Sequence, residues 1–220
     1  MFDLVHTTST SDNAGMAGLR ADKLLADVGR GLVSGTKVAT QMGWRPVEAV
    51  AAGDQVLTFD GGLQYVTDVR RDVIWTGGSQ GAPDTWPLFV PAGALGNRED
   101  MYLMPHQAVL VESDTAEAVF GDPFAMIPAA ALEGFRGICR VAPAERIEIV
   151  TITFAQDEVV FANIGALFFC PASTDLLDMP ASDYATMSLE QADTLVGFLE
   201  MEDMGHVPVK QATAAFRMVA

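Results

Sequence analysis

Nine short β-prone runs, separated by Gly, Pro and Asp, occupy the chain from Lys37 to Cys170 and constrain its fold more than any other feature. They read KVATQM, QVLTFD, QYVTDV, PLFV, MYLM, AVLV, RIEIVTITF, EVVFAN and ALFFC. Branched and aromatic side chains suit a pleated surface, and the breakers end each run before a helical period can establish itself. A mainly β domain of many strands follows. Asp60-Gly61-Gly62 lies between QVLTFD and LQYVTDV and supplies the positive φ that a tight hairpin needs. The stretch IPAAALEGF predicts one helical turn among the strands, and WTGGSQGAPDTW, from Trp75 to Trp86, reads as a long surface loop. Its two tryptophans read as loop anchors in the core rather than as ligand platforms.

The flanks differ. Residues 7–15, TTSTSDNAG, have the small polar composition of an arm or linker. Met16, Leu19, Leu24, Leu25 and Val28 then recur at roughly helical spacing and stop at Gly29, which predicts a short amphipathic helix. After Pro180 the strand signals cease. Ser188, followed by Glu190 and Gln191, starts a helix carrying Leu189, Leu195, Val196 and Leu199, and a last amphipathic segment runs from Lys210 to Val219. These tail helices are expected to cover a sheet edge or a core face, with Met201, Met204 and Met218 as the alternative, a partner surface. At 220 residues the expectation is one domain in three parts: an arm and short helix at 1–30, a β domain at 31–172, and a helical tail at 173–220 packed on it.

Composition excludes several functions. Hydrophobic residues make up 50% of the sequence and charged ones 19%, enough for a sizeable core. Thirteen Lys and Arg against 29 Asp and Glu give a formal charge of −16, which repels nucleic-acid phosphates and anionic lipids. Two cysteines, Cys139 and Cys170, are too few and too far apart for a disulfide framework or a thiolate metal site, as expected of a reducing compartment. The first residues lack a basic region and a long apolar run, so no secretory leader is expected. The uncharged run from Val159 to Thr174 is too short and too interrupted to predict a membrane span. A cytoplasmic location follows. His6, His106 and His206 stand a hundred residues apart, so no metal is expected. Without a phosphate loop, a G-x-S-x-G elbow or a convincing carboxylate pair, neither is a cofactor.

One segment is more specific. GLVSGTKVATQMGWRPVEAVAAGDQVLTFDGG, from Gly31 to Gly62, resembles the opening of the bacterial Hint (hedgehog/intein) domains, with a Gly-Thr strand start, an RPVE turn and a GD-V-T-DGG hairpin. VPAGALGNREDMYLMPHQAVLV, from Val90 to Val111, resembles the block bearing that family's histidine, and EIVTITFAQDEVVFANIGA, from Glu148 to Ala166, resembles its last strands. GHVPVKQATAAFRMVA is similar to the tail of stand-alone bacterial members. The resemblance spans roughly residues 22 to 220. It implies a horseshoe-like Hint-type β fold with short terminal helices, bringing the start of the domain beside the histidine block.

In active members a thiol or hydroxyl at the first position attacks the preceding carbonyl. That step needs a nucleophile, a proton donor for the departing amine and donors for the oxyanion. Lined up on Gly35-Thr36, the nucleophile's place falls on Gly31, which has no side chain. Ser34 is the nearest hydroxyl, three residues on and about 10 Å along an extended strand, and reads as a turn serine. In the histidine block the family's order of Pro, polar residue, His becomes Pro105-His106-Gln107, which puts Gln107 in the catalytic slot and aims His106 elsewhere unless a bulge restores it. Asp157 stands where members tend to carry a second histidine, and an ionised Asp only accepts hydrogen bonds. Inteins end on an Asn that cyclises, whereas this sequence ends Met218-Val219-Ala220, so splicing is not expected.

The expectation is a Hint-type fold that has lost autoprocessing and serves as a structural or protein-binding module, alone or as a subunit of a larger assembly. Its charge suits a cationic protein partner and leaves the oligomeric state open. The rival is a self-cleaving protein using Ser34 or Cys170 as a displaced nucleophile and His106 as acid. A third reading keeps only a small-molecule pocket at the same place.

Overall fold

The computed structural model describes residues 30–74, 83–142, 146–173 and 184–205. The helix expected around Met16 to Val28, the loop core from Trp75 and the last segment from Lys210 lie outside the described residues. Fourteen strands and two helices are described, so the chain is mainly β. The largest sheet contains β2 (Lys37–Thr40), β3 (Gly43–Pro46), β4 (Gln55–Thr58), β5 (Gly62–Tyr65), β9 (Ala108–Glu112), β10 (Phe124–Pro128), β13 (Glu158–Ala162) and β14 (Ala166–Cys170). Its order is β10-β9-β14-β13-β2-β4-β5, with β3 also pairing β2. A second sheet sets β12 (Ile147–Thr153) between β1 (Leu32–Val33) and β6 (Asp68–Ile74), and a third sets β7 (Leu88–Val90) between β11 (Cys139–Arg140) and β8 (Met101–Leu103).

Every one of the nine β-prone runs contributes to a strand. The run QYVTDV is divided, because β5 ends at Tyr65 and β6 begins at Asp68. The Asp60-Gly61-Gly62 turn closes β4 onto β5 with Thr58 opposite Gly62, whose φ is +66°. The sequence reading missed β1, β3, β10 and β11. It also missed α1 (Asp114–Phe120), a seven-residue helix capped by Ser113, whose hydroxyl accepts from the Thr115 and Ala116 amides, and closed by Gly121 at φ +81°. The helical turn expected in IPAAALEGF is a 3-10 turn at Ala129–Leu132, and Trp86 is half-buried just after another at Pro83–Thr85.

Strand β13 shows how the core is built. Val160 and Ala162 face the main apolar cluster with Val38, Val56 and Phe168, while Val159 faces a second cluster with Leu110 and Met126, covered by Phe59, Phe124, Phe169 and Tyr184. Both faces of the sheet are therefore buried at this strand, which explains its unbroken hydrophobic run.

Helix α2 (Leu189–Asp203) begins where Ser188 was expected to cap it. The Ser188 hydroxyl accepts from the Gln191 amide and the Gln191 side chain accepts from the Ser188 amide, forming a capping box. Ala192, Leu195, Val196 and Leu199 are buried in the main core, each large one contributing roughly 1.5–3 kcal/mol by removal from water. The far end is pinned twice. Glu202 accepts from the backbone amide and hydroxyl of Thr115, and Asp203 takes two 2.6 Å bonds from the Arg136 guanidinium. The hydrogen bonds from Arg136 hold the Asp203 carboxyl below the usual carboxylate range. No described helix is long and apolar enough to cross a membrane.

Candidate functional site

The domain starts on a strand of two residues. Leu32 and Val33 pair with Val150 and Ile149, and the Ser34 amide donates to the Glu148 carbonyl at 2.9 Å, so this end is laced to β12. Continuing that register sets Gly31 opposite Thr151. Gly31 is buried, and a Cβ placed on it would overlap Ile149 Cγ2, lie 2.7 Å from Thr151 Oγ1 and lie 3.2 Å from the Val150 carbonyl oxygen. The space into which a side chain at this position would project is filled by β12. Thr151 Oγ1 is buried there with no hydrogen-bond partner among the described residues.

Val33 and Ile149 form one apolar cluster with Met104, flanked by Ile74 and Ile147. The start of the domain and the histidine block are thus packed together, as the resemblance implied. Within that block, residues 104–107 form a turn ahead of β9, closed by the Gln107 amide donating to the Met104 carbonyl at 3.0 Å. Two more bonds tie the turn down, from the Ala129 amide to the Gln107 carbonyl and from the Ala130 amide to the Pro105 carbonyl. His106 is exposed at the tip of this turn and Gln107 is 1% exposed. Turn geometry, rather than the alternation of a strand, separates the two side chains. Gln107 Nε2 donates to the Ala108 and Phe169 carbonyls at 2.9 Å each, while its Oε1 is buried without a partner among the described residues.

Asp157 is half-buried between β12 and β13 and accepts from the Ala172 amide at 2.7 Å, fastening the chain as it leaves β14. Cys170 ends β14 directly opposite Glu158, and both are buried. Burial, reinforced by the charge of Glu158, pushes the Cys170 thiol well above the usual range, so thiolate is suppressed at neutral pH. Ser34 is half-buried in the turn between β1 and β2. Among the described residues no hydrogen bond joins Ser34, His106, Asp157 or Cys170 to one another. No group of three or more His, Cys, Asp or Glu among the described residues could hold a metal ion.

This geometry predicts a clean difference between the two thiols. Cys139 is exposed and Cys170 buried, so a maleimide at pH 7 should label one thiol per native chain, at Cys139. The second should react only in denaturant, and peptide mapping of the labelled chain checks it. Rapid native labelling of Cys170 would contradict its burial.

The residues that sequence reading missed are Thr151 and Glu158. Thr151 sits in a regular alternating run and acquires its place only from the pairing of β1 with β12. Glu158 opens EVVFAN with a charge, and nothing local says that the charge faces inward, where Gln156 Nε2 donates to it at 3.0 Å.

Several solved structures are similar to this chain at low sequence identity. A bacterial intein-like domain from Clostridium thermocellum matches at 14% identity and a TM-score of 0.46, over 63% of this chain and 97% of that one. The MchDnaB-1 intein matches at 15% identity and a TM-score of 0.41, over 64% and 99%. The gp41-1 intein matches at 13% identity and a TM-score of 0.40, over 62% and 97%. No curated protein matches the sequence. The profile of the Hint domain matches residues 30–167, more than half of the sequence and the span that holds all fourteen strands but the last few residues of β14, and the chain therefore belongs to the Hint domain family.

Proposed function

We propose that this Hint protein has lost self-cleavage and keeps its β framework as a structural or protein-binding module, alone or as a subunit of a larger assembly. The observation that carries the reading is the closed space at Gly31. Acyl transfer from the backbone requires a nucleophilic atom within reach of the scissile carbonyl, and here the residue has no side chain while Ile149 and Thr151 fill the volume one would use. The neighbouring turn supports the same reading. Gln107 has no ionisable proton to give a departing amine, and exposed His106 is on the other side of the turn. Asp157 is engaged by a backbone amide, and Cys170 is held as a thiol.

A cationic protein partner and a reducing, cytoplasmic location belong to this proposal, supported by the charge of −16 and by two cysteines that remain free.

Restoring a nucleophile tests the reading. Gly31→Cys should destabilise the fold by about 1–3 kcal/mol, because Ile149 and Thr151 must move, and should leave the chain intact in dithiothreitol. Urea denaturation gives the first quantity and intact mass the second. Thiol-dependent cleavage of Gly31→Cys would mean that the acid and the oxyanion donors are still in place and that the space beside Gly31 can open, so the loss would rest on the missing nucleophile alone.

A further inference from the structure

Strand β5 is the last strand of its sheet, and no described strand pairs with its outer side. Its register puts Gly62 opposite Thr58, Leu63 opposite Leu57, Gln64 opposite Val56 and Tyr65 opposite Gln55. The Val66 amide donates to the Asp54 carbonyl at 2.9 Å, so the residues bonded toward β4 are Gly62, Gln64 and Val66. The amides and carbonyls of Leu63 and Tyr65 therefore point outward, along an edge that no described strand pairs with.

The side chains of those two residues stand on the solvent face. Tyr65 is 64% exposed and Leu63 45%. They continue an apolar row that crosses four strands: Trp44 lies opposite Ala39 in the β2–β3 pairing, the Thr40–Val56 pairing sets Ala39 beside Leu57, and Leu57 lies opposite Leu63. Leu57 and Trp44 are 38% and 39% exposed on either side of Ala39, which is buried at 8%. Natural edge strands are usually blunted by a charge or a proline, and Gly62-Leu63-Gln64-Tyr65 has neither. The charges come at its ends, where Asp60 and Asp68 are both exposed. Asp60 receives the Tyr184 hydroxyl. The basic side chains of the adjoining strands are committed elsewhere, Lys37 to Glu99, Arg45 to Asp54, Arg70 to Asp72, and Arg71 to the Glu48 and Val50 carbonyls.

We infer that β5 is a docking edge for an extended segment of another protein, with apolar side chains at alternate positions and Lys or Arg at its ends. Outward N–H and C=O groups in strand geometry select an extended backbone, the exposed residues of the row select alternate apolar side chains, and the two end carboxylates select cations. A second copy of this chain fits worse, since its corresponding edge brings the same two carboxylates and a net charge of −16. The inference rests on the module reading above and names where the partner binds.

The probe is a capped peptide, Lys-Thr-Val-Thr-Val-Thr-Lys, added to the full chain, with a Glu-ended version as control. Hydrogen exchange should show the Leu63 and Tyr65 amides protected by the Lys-ended peptide. Affinity should fall at least tenfold for the Glu-ended peptide and for Leu63→Lys, and stay unchanged for Tyr102→Lys, on the separate β11-β7-β8 sheet. No protection at the two amides, equal binding of both peptides, or protection without peptide in a protein of dimeric mass would each overturn the inference. Intact mass of the same samples separates the two claims: an unbroken chain that fails to bind sinks the docking edge alone, whereas a fragmented chain sinks the module reading.

Discussion

Gly165→Ala should destabilise the protein by about 3 kcal/mol or more, lowering its melting temperature on the order of 10 °C. The cause is a contact between two backbones. A Cβ on Gly165 would overlap the Gly96 carbonyl oxygen and lie 2.7 Å from the Gly96 carbonyl carbon, and backbone atoms do not rotate out of the way as a side-chain tip does. The contact also joins two parts of the β domain. Gly165 ends the β13–β14 turn, where Asn163 and Ile164 have φ of +42° and +66°, and Gly96 belongs to the loop between β7 and β8. Asn163 reinforces this junction, since its side-chain oxygen accepts from the Lys37 amide at 2.8 Å and its carbonyl accepts from the Arg98 amide at 2.9 Å. Calorimetry of the variant checks the prediction, and a shift of only a degree or two would mean that the two loops do not meet.

Phe168→Ala should cost about 3–5 kcal/mol, as a fully buried aromatic ring replaced by a methyl leaves a cavity that β-sheet neighbours cannot close. Phe168 is opposite Val160 on β13 and Val109 on β9, so it sits where the strand bearing the histidine block is joined to the last hairpin. Urea denaturation should show a lower midpoint with little change in slope, because the surface exposed on unfolding is nearly the same. A neutral result would contradict the strand order.

Local pattern carried much of the fold. The alternation and breakers from Lys37 to Cys170 placed strands, and Ser188 with Gln191 marked the start of α2, because these signals lie within a few residues of one another. Elements with weak local signals were lost. Strand β3 is Gly-Trp-Arg-Pro and owes its extension to pairing with β2, β1 has only two residues, and α1 is too short for a helical period to show. The candidate site was legible only in part. Gly31, His106 and Gln107 stood out by comparison with the Hint pattern, but that β12 fills the space beside Gly31 depends on a register between strands far apart in sequence. The inward charge of Glu158 and the meeting of Gly96 with Gly165 are of the same kind. No window along the chain contains both partners.

The most direct test of lost self-cleavage is the intact mass of the purified wild-type chain after a day at neutral pH, with and without dithiothreitol. The account predicts the mass of all 220 residues in both samples. A break between Gly31 and Ser34 in either one would contradict it and require a nucleophile acting at the start of β1.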